Sequence, residues 1–360
     1  MFKVFSRAIV MLMLLGSFSA CSSRSTGAGR AFYYWKTGNY SLDRAELGYL
    51  RDQKIQKLYV KFFDVSTDPV LGPVPLSKTD LHIWDYEYSY ESDSIFRDEM
   101  THLEIIPVVY LKNEVFLNVT HGCLDTLADN ITFLVSKYYN NMGNRERPDF
   151  REIQLDCDWT SKTSGNYFYL LRKMKEASRK TISCTLRLYP YKYREKTGVP
   201  PADRAVLMCY NLLSPMANDD KNSILDNHEL ESYLEHAGKY PVPLDVALPV
   251  FSWMEVFQNN QFAGIIHPKA HELDSILRPL KPFWYEVTAD RELDKLYLRA
   301  GDKVKAESVT AETIRGATAL LKKYLPADSS RTVILFSLDN DYLSGFDHET
   351  LSGFFSDFIH

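Results

Sequence analysis

Two aspartates stand one residue apart in the stretch "REIQLDCDWTSKTSGNYFYLLRKMKEA", residues 151–177, whose pattern predicts a strand that leads into a helix. Polar residues alternate with apolar ones as far as Thr160, so Asp156 and Asp158 share one face of the strand. Carboxylates on alternate strand positions lie ~6–7 Å apart. Repulsion between them raises the pKa of one, which keeps an acid protonated near neutral pH. The pair therefore indicates a charge partner, a ligand or chemistry, and Asp158 is the first candidate for a catalytic acid.

The elements that position this pair alternate along the chain. Short apolar runs rich in β-branched and aromatic residues are separated by helical stretches, and eight are predicted as strands: 31–37, 55–65, 104–111, the start of 151–177, 181–191, 204–213, 243–253 and 331–341. This alternation predicts an α/β fold, a (β/α)8 barrel of the TIM type. A doubly wound open sheet is the alternative, and it is less favoured because no glycine-rich phosphate loop follows any strand.

Two segments depart from the regular alternation. Residues 255–308 are predicted to form an insertion after strand seven, with a small hairpin or sheet of their own. A long loop rich in proline and tyrosine follows strand two, and a helix is predicted near 93–102. Residues 31–360 are therefore interpreted as a single barrel domain that contains the insertion.

In a (β/α)8 barrel, chemistry takes place at the C-terminal ends of the strands. Most residues predicted at those ends are polar or aromatic: Tyr34, Trp35, Asp64, Tyr110, Asp156, Asp158, Arg187, Tyr210, Trp253, Glu255, Asp339 and Asp341. A carbohydrate cleft needs carboxylates for hydroxyl groups and for the scissile bond, and rings for the faces of sugars. The alternative is that strand ends are polar simply because the chain leaves the core there.

The charged residues of this set have two interpretations. Glu255 or Asp64 can supply a second carboxylate to Asp158 from across the mouth of the barrel. Alternatively, Arg187 neutralises Asp156 in a buried ion pair, while Asp158 points toward the cleft. The catalytic set predicted from the sequence is therefore Asp158 with Asp156 and Glu255.

The aromatic strand ends also have two interpretations. Tyr210 can hydrogen-bond a sugar carbonyl or cap the core, and Trp35 and Trp253 can stack on sugars or be buried. The predicted substrate-binding set consists of Trp35, Asp64, Tyr110, Arg187, Tyr210 and Trp253.

Three motifs resemble one enzyme family. "IQLDCDWT" resembles the strand-four motif D-x-x-D-x-D-x-E of the family 18 glycoside hydrolases, the chitinase type, with Asp156 and Asp158 on its second and third aspartates. "VLMCYN" is similar to the family's Met-x-Tyr-Asp/Asn signature through Met208, Tyr210 and Asn211, and "ALPVFSW" is similar to the segment that follows. The chain also resembles barrel lipoproteins of Bacteroidetes, whose strand four carries an Asp-x-Asp pair. The resemblance runs from strand four to strand seven and implies a glycan ligand.

The departures from the motif concern catalysis. Ile153 stands where the family has its first aspartate, and Thr160 stands where it has the catalytic glutamate. A threonine hydroxyl is far too weak an acid to protonate a leaving oxygen. Three hypotheses follow: a glycoside hydrolase whose acid role has moved to Asp158, a glycan-binding barrel without activity, or a structural or interaction lipoprotein.

The N-terminus predicts export and a lipid anchor. Lys3 and Arg7 precede an apolar stretch too short to span a bilayer, and "SFSAC" ends at Cys21, as in a bacterial lipobox. Residues 1–20 are interpreted as a signal peptide and 21–30 as a tether, with Cys21 as the lipid attachment site. A cleaved signal for soluble secretion or an uncleaved anchor are the alternatives. The predicted location is the cell envelope, anchored to a bacterial membrane.

Composition excludes several other classes of protein. The net charge of −5 gives no basic surface for nucleic acid, and neither the nine histidines nor the cysteines have the spacing of a metal site. No serine nucleophile motif is present, which argues against an α/β-hydrolase. No metal or cofactor is therefore predicted. Aromatic residues make up 13% of the chain, which is typical of sugar-handling proteins or of a large core edged with tyrosines.

Overall fold

The computed structural model describes residues 28–76, 78–82, 102–142, 149–213, 220–267, 272–293 and 296–358. The predicted signal peptide, Cys21, and most of the predicted tether and of the helix near 93–102 lie outside the described residues. Within these ranges, no helix combines the length and the hydropathy that a bilayer span requires.

Eight parallel strands close into a barrel. They are β1 Gly29–Tyr34, β2 Lys57–Asp68, β3 Glu104–Leu111, β4 Glu152–Asp156, β5 Thr181–Arg187, β6 Arg204–Met208, β7 Leu244–Pro249 and β8 Thr332–Phe336. Each strand pairs in parallel with the next, and β8 pairs with β1. The (β/α)8 fold predicted from the sequence is confirmed.

The helices that connect the strands present apolar faces to the barrel. In the described ranges they are α1 Arg44–Asp52, α2 His121–Asn141, α3 Ser164–Ser178, α4 Leu188–Lys192, α5 Arg194–Thr197, α6 Asn227–Leu234, α7 Ala311–Tyr324, α8 Asn340–Leu343 and α9 His348–Ser356, with 3-10 turns at Asn113–Phe116 and Asp274–Ile276. In α2, for example, Leu124, Leu127, Ile131 and Val135 are buried, which is the spacing of one helical face.

Polar pairs tie strands together inside the barrel. Arg204 on β6 donates from Nε and Nη2 to the two carboxylate oxygens of Asp245 on β7, at 2.9 and 2.7 Å. The backbone N–H of Thr332 on β8 donates to the same carboxylate at 2.6 Å. Tyr33 donates its hydroxyl to Gln154 Oε1 at 2.7 Å, which joins β1 to β4. The Arg204–Asp245 contacts fix the N-terminal ends of β6, β7 and β8, at the opposite end of the barrel from the candidate site.

The insertion predicted after strand seven is present as a second small sheet. Its five antiparallel strands lie in the order Gln261–Ile266, Ser252–Gln258, Lys303–Ser308, Trp284–Val287 and Leu277–Lys281. A separate apolar cluster, which includes Val256, Val287 and Val304, forms its core. Among the further short strands, Gly72–Leu76 pairs antiparallel with the end of β2. Two more pairs are Gly38–Ser41 with Thr79–His82 and Arg291–Glu292 with Tyr297–Leu298.

Five strands end earlier than predicted; strands one and eight end at Tyr34 and Phe336. Strands five, six and seven end at Arg187, Met208 and Pro249. Tyr210 therefore lies just beyond a strand, and Trp253 belongs to the first strand of the insertion sheet. In strands five to seven the prediction overran because aromatic residues that favour strands continue past each end into turns.

Candidate functional site

Asp156 is the last residue of β4 and is almost completely buried, with 5% of its surface exposed. Thr185 on β5 donates its hydroxyl to Asp156 Oδ1 at 2.6 Å. Burial raises the pKa of Asp156 to about 6, against the attraction of Arg187 and with added repulsion from Asp158. Asp156, the inner carboxyl group of the pair, is therefore easily protonated near neutral pH.

Asp158 lies two residues beyond β4, and 46% of its side chain is exposed. Arg187 at the end of β5 donates from Nε to Asp158 Oδ1 at 2.6 Å and from Nη2 to Oδ2 at 3.2 Å. The expected Arg187–Asp156 pair is therefore wrong, because the register of β4 on β5 places Thr185 beside Asp156 and Arg187 two residues further on, beside Asp158. The charge of Arg187 still lowers the pKa of Asp156. The two-point guanidinium contact occupies both oxygens of the Asp158 carboxylate.

Thr160 takes part in the turn that precedes α3. Its backbone N–H donates to Thr163 Oγ1 at 2.9 Å, and its own hydroxyl accepts from the backbone N–H of Lys162 at 3.3 Å. The backbone carbonyl of Thr160 accepts from Ser164 N at 2.8 Å. The position that holds a glutamate in the chitinase motif therefore serves to start a helix.

A groove of about 350 Å³ opens beside the Asp158–Arg187 pair. It is lined by residues that follow β4 and β5, namely Asp158, Trp159, Thr160, Ser161, Arg187, Tyr189, Pro190, Lys196 and Thr197. Trp159 is buried and stacks on Tyr167, with ring centroids 5.2 Å apart. The volume lies at the small end of ligand sites, which span roughly 300–1,000 Å³. We call this space the Tyr189 groove.

Two residues of the Tyr189 groove were missed by the sequence analysis. Tyr189 is 49% exposed and packs on Tyr193, with ring centroids 4.7 Å apart. Lys196 is exposed, and its Nζ lies 5.3 Å from the centroid of the Tyr193 ring. The available signal was the basic and aromatic run "LYPYKYREKT", which was interpreted in part as the end of strand five.

Aromatic rings pack together at the centre of the barrel mouth. The ring of Phe336 lies 5.7 Å from Trp35, 5.2 Å from Tyr210 and 5.7 Å from Phe251, and Phe251 lies 5.3 Å from Trp253. Trp35 and Trp253 are partly exposed, whereas Tyr210 is buried. The Tyr210 hydroxyl has no hydrogen-bond partner in the described part of the chain. The structure therefore brings these three predicted binding residues into one ring cluster.

Asp64 and Tyr110 lie at the same level as Asp156 on neighbouring strands. Lys61 Nζ lies 3.2 Å from Asp64 Oδ1 and 5.7 Å from the centroid of the Trp35 ring. Burial raises the pKa of Tyr110 to about 12, with further contributions from the Asp158 and Asp156 charges. Both predicted residues thus border the site. Asp64 forms an ion pair with Lys61, a residue that the sequence analysis did not identify.

Glu255 is not at the surface of the cleft. It lies on the insertion strand Ser252–Gln258, opposite Lys305, and is 0% exposed. Neither carboxylate oxygen has a hydrogen-bond partner within the described ranges. Burial raises the pKa of Glu255 to about 7; repulsion from Glu307 adds to the rise and attraction from Lys305 opposes it. A side chain buried in this way cannot contact a glycan, so the structure does not support its predicted catalytic role.

No group of three or more histidine, cysteine, aspartate or glutamate side chains among the described residues is arranged to hold a metal ion. The cysteines at 157, 184 and 209 are buried, and Cys123 is exposed. Burial raises the pKa of the Cys157 thiol well above its ordinary value, which makes it unreactive.

Two solved structures share the (β/α)8 fold of this chain. The spore cortex-lytic enzyme SleL of Bacillus megaterium QM B1551 superposes with a TM-score of 0.50 and 15% identity, over 92% of this chain and 75% of that chain. The Group IV chitinase of Ostrinia furnacalis superposes with a TM-score of 0.51 and 11% identity, over 92% of this chain and 99% of that chain. Identities this low establish the fold alone.

Comparisons of sequence add no closer assignment. No protein-family model matches the chain, and no curated protein matches it.

Proposed function

We propose that the chain binds a glycan at the barrel mouth without cleaving it. The observation that carries this proposal is the exposed ring of Tyr189 beside the Asp158–Arg187 pair. A tyrosine ring offers a flat surface for a sugar face, and the charged pair offers acceptors and donors for hydroxyl groups. The fold neighbours named above, a cortex-lytic enzyme and a chitinase, are consistent with a glycan ligand.

The absence of cleavage follows from the state of the carboxyl groups. Hydrolysis requires a carboxyl group that contacts the glycosidic oxygen and protonates it as the bond breaks. Asp158 is held by Arg187, Asp156 is nearly buried, and Glu255 is completely buried. A hydrolase is the second candidate function, because the pKa of Asp156, raised to about 6, leaves part of this carboxyl protonated near neutrality.

The first test is a panel of neutral and acidic oligosaccharides, including N-acetylglucosamine-containing chains, assayed for both binding and release of reducing ends. We expect binding without release, and we expect Tyr189→Ala to weaken binding by about tenfold because the stacking surface is lost. Tyr297→Ala is the matched control, since Tyr297 is also a 48% exposed tyrosine but lies in the insertion.

Two results would contradict the proposal. Release of reducing ends that disappears in Asp156→Asn establishes the hydrolase instead. A panel on which no glycan binds excludes both candidate functions.

We also propose that the chain is an envelope lipoprotein acylated at Cys21, on the basis of the "SFSAC" sequence. Expressed with its N-terminal segment in a bacterium that processes lipoproteins, the wild type is expected in the membrane fraction and labelled by a palmitate analogue. Cys21→Ser is expected to lose the label, whereas Cys123→Ser, which changes an exposed cysteine of the barrel domain, is expected to keep it. Labelling that survives Cys21→Ser refutes the anchor.

A further inference from the structure

We propose that the Tyr189 groove selects an acidic sugar, one with a carboxylate or sulfate on its ring. This inference rests on the proposed glycan-binding function and names the class of glycan. It is carried by the charges that line and surround the groove, together with the exposed ring next to them.

The groove is positively charged on a chain that is acidic as a whole. Its lining carries two cations, Arg187 and Lys196, and one anion, Asp158. The complete chain has a net charge of −5. A concave site with the opposite sign to the rest of the molecule concentrates anionic ligands.

Lys196 is the cation available to a ligand. It is exposed, and within the described ranges it has no acidic partner; its contact is with the face of the Tyr193 ring, 5.3 Å from the centroid. Arg187, in contrast, is engaged by Asp158. Because an aromatic ring carries no net charge, this contact gives the Lys196 ammonium group no counter-charge at the edge of the groove.

The segment behind the groove adds uncompensated positive charge. Lys192 donates to the backbone carbonyl of Ser232, and Arg194 Nη1 donates to that of Lys239 at 2.9 Å. Carbonyl oxygens orient these cations but carry no net charge. Glu195 is the one acidic residue of α4 and α5, and it is exposed. The loop that follows β5 therefore remains cationic.

The exposed ring of Tyr189 and the ammonium group of Lys196 lie on the same wall of the Tyr189 groove. Tyr189 packs on Tyr193, and Lys196 packs on Tyr193 as well, so one tyrosine positions both. A sugar stacked on Tyr189 is thus bordered by an ammonium group that can meet an anionic ring substituent. A neutral sugar gains the stacking contact and the hydroxyl bonds to the charged pair but has no anion for Lys196, which is why the acidic sugar is preferred.

The test uses oligogalacturonate and its methyl ester, two ligands that differ in the charge of the carboxyl group. Titration calorimetry with the full barrel at low salt is expected to show tighter binding of the acid, with a difference that shrinks as salt is added. The third ligand is a sulfated oligosaccharide. If it binds more tightly than the methyl ester, the proposal is supported with sulfate as the anion.

Lys196→Glu is expected to weaken binding of the preferred acidic ligand by about tenfold and to weaken binding of the ester by a much smaller factor. Lys137→Glu is the matched control. Lys137 is an exposed residue of α2, and this substitution changes the total charge by the same amount as Lys196→Glu. Equal weakening by the two variants overturns the proposal, since the effect is then one of net charge.

The remaining outcomes separate this inference from the proposed function. Neutral glycans that bind as well as acidic ones overturn the acidic-sugar inference and leave the glycan-binding function intact. Failure of every neutral and acidic glycan to bind overturns both.

Discussion

Replacing Glu307 with alanine is expected to lower the free energy of unfolding by ~3–5 kcal/mol. The Glu307 carboxylate lies 2.9 Å from Lys305 Nζ, and both side chains are 0% exposed. It also accepts from Ser223 N at 2.7 Å, Ser223 Oγ at 2.6 Å and Trp253 Nε1 at 2.8 Å. The substitution removes a buried counter-charge and leaves several buried donors without their acceptor, each of which carries a desolvation cost.

Urea unfolding followed by circular dichroism measures this loss. Glu286→Ala is the control from the same sheet, because its ion pair with Arg278 is partly exposed and is expected to contribute less than about 1 kcal/mol. Glu307→Gln keeps an acceptor for Trp253 and is expected to lose less stability than the alanine variant. A loss for Glu307→Ala no larger than that of Glu286→Ala would show that the buried cluster does not hold the insertion in place.

The Asp156→Asn variant is expected to be more stable than the wild type at pH 8 and about equally stable at pH 4. Burial raises the pKa of Asp156 from its ordinary value of 3.8 to about 6. Between these values the folded chain binds more protons than the unfolded chain, so the free energy of unfolding falls as the pH rises through this window. Well above pH 6 the ionised Asp156 carboxylate lowers the free energy of unfolding of the wild type by ~3 kcal/mol. This is the upper limit of the stability that Asp156→Asn is expected to gain.

Unfolding midpoints of both proteins at pH 4, 6 and 8 give the measurement. The asparagine carbonyl can still accept from the Thr185 hydroxyl, so the comparison isolates the charge. Asp158→Asn is the control; because its partner Arg187 is partly exposed at the barrel mouth, we expect a small loss of stability. If Asp156→Asn is less stable than the wild type at pH 8, the ionised carboxylate is stabilised by its surroundings and the assigned direction of the pKa change is wrong.

The sequence was sufficient for the barrel because each strand is a short apolar run with its own local signal. Alternation within "IQLDCD" also placed Asp156 on the inner face without any tertiary information. The partner of each acid was not predictable in this way. Arg187 reaches Asp158 because of the stagger between two parallel strands, and that offset is set by closure of the whole barrel.

The insertion shows a second limit of local patterns. In "SWMEVFQ" the alternation does not tell which face of the strand is buried, because the sheet has polar residues inside. Glu255 is enclosed by Lys305, a residue 50 positions further along the chain that pairs with it only in the folded sheet. The Tyr189 groove was missed for a similar reason, since a tyrosine-rich run after β5 has the composition of a strand but folds as two short helices.

The contact between Glu307 and Ser223 joins the insertion sheet to the segment that follows β6, and the Trp253 indole ties the same carboxylate to the ring cluster at the mouth. The wall of the mouth formed by the insertion is therefore preorganised rather than hinged. A ligand that meets such a wall loses little conformational entropy of the protein on binding. We expect free and glycan-bound structures to superpose closely over this wall. Selectivity among glycans then comes from their fit to a preformed surface.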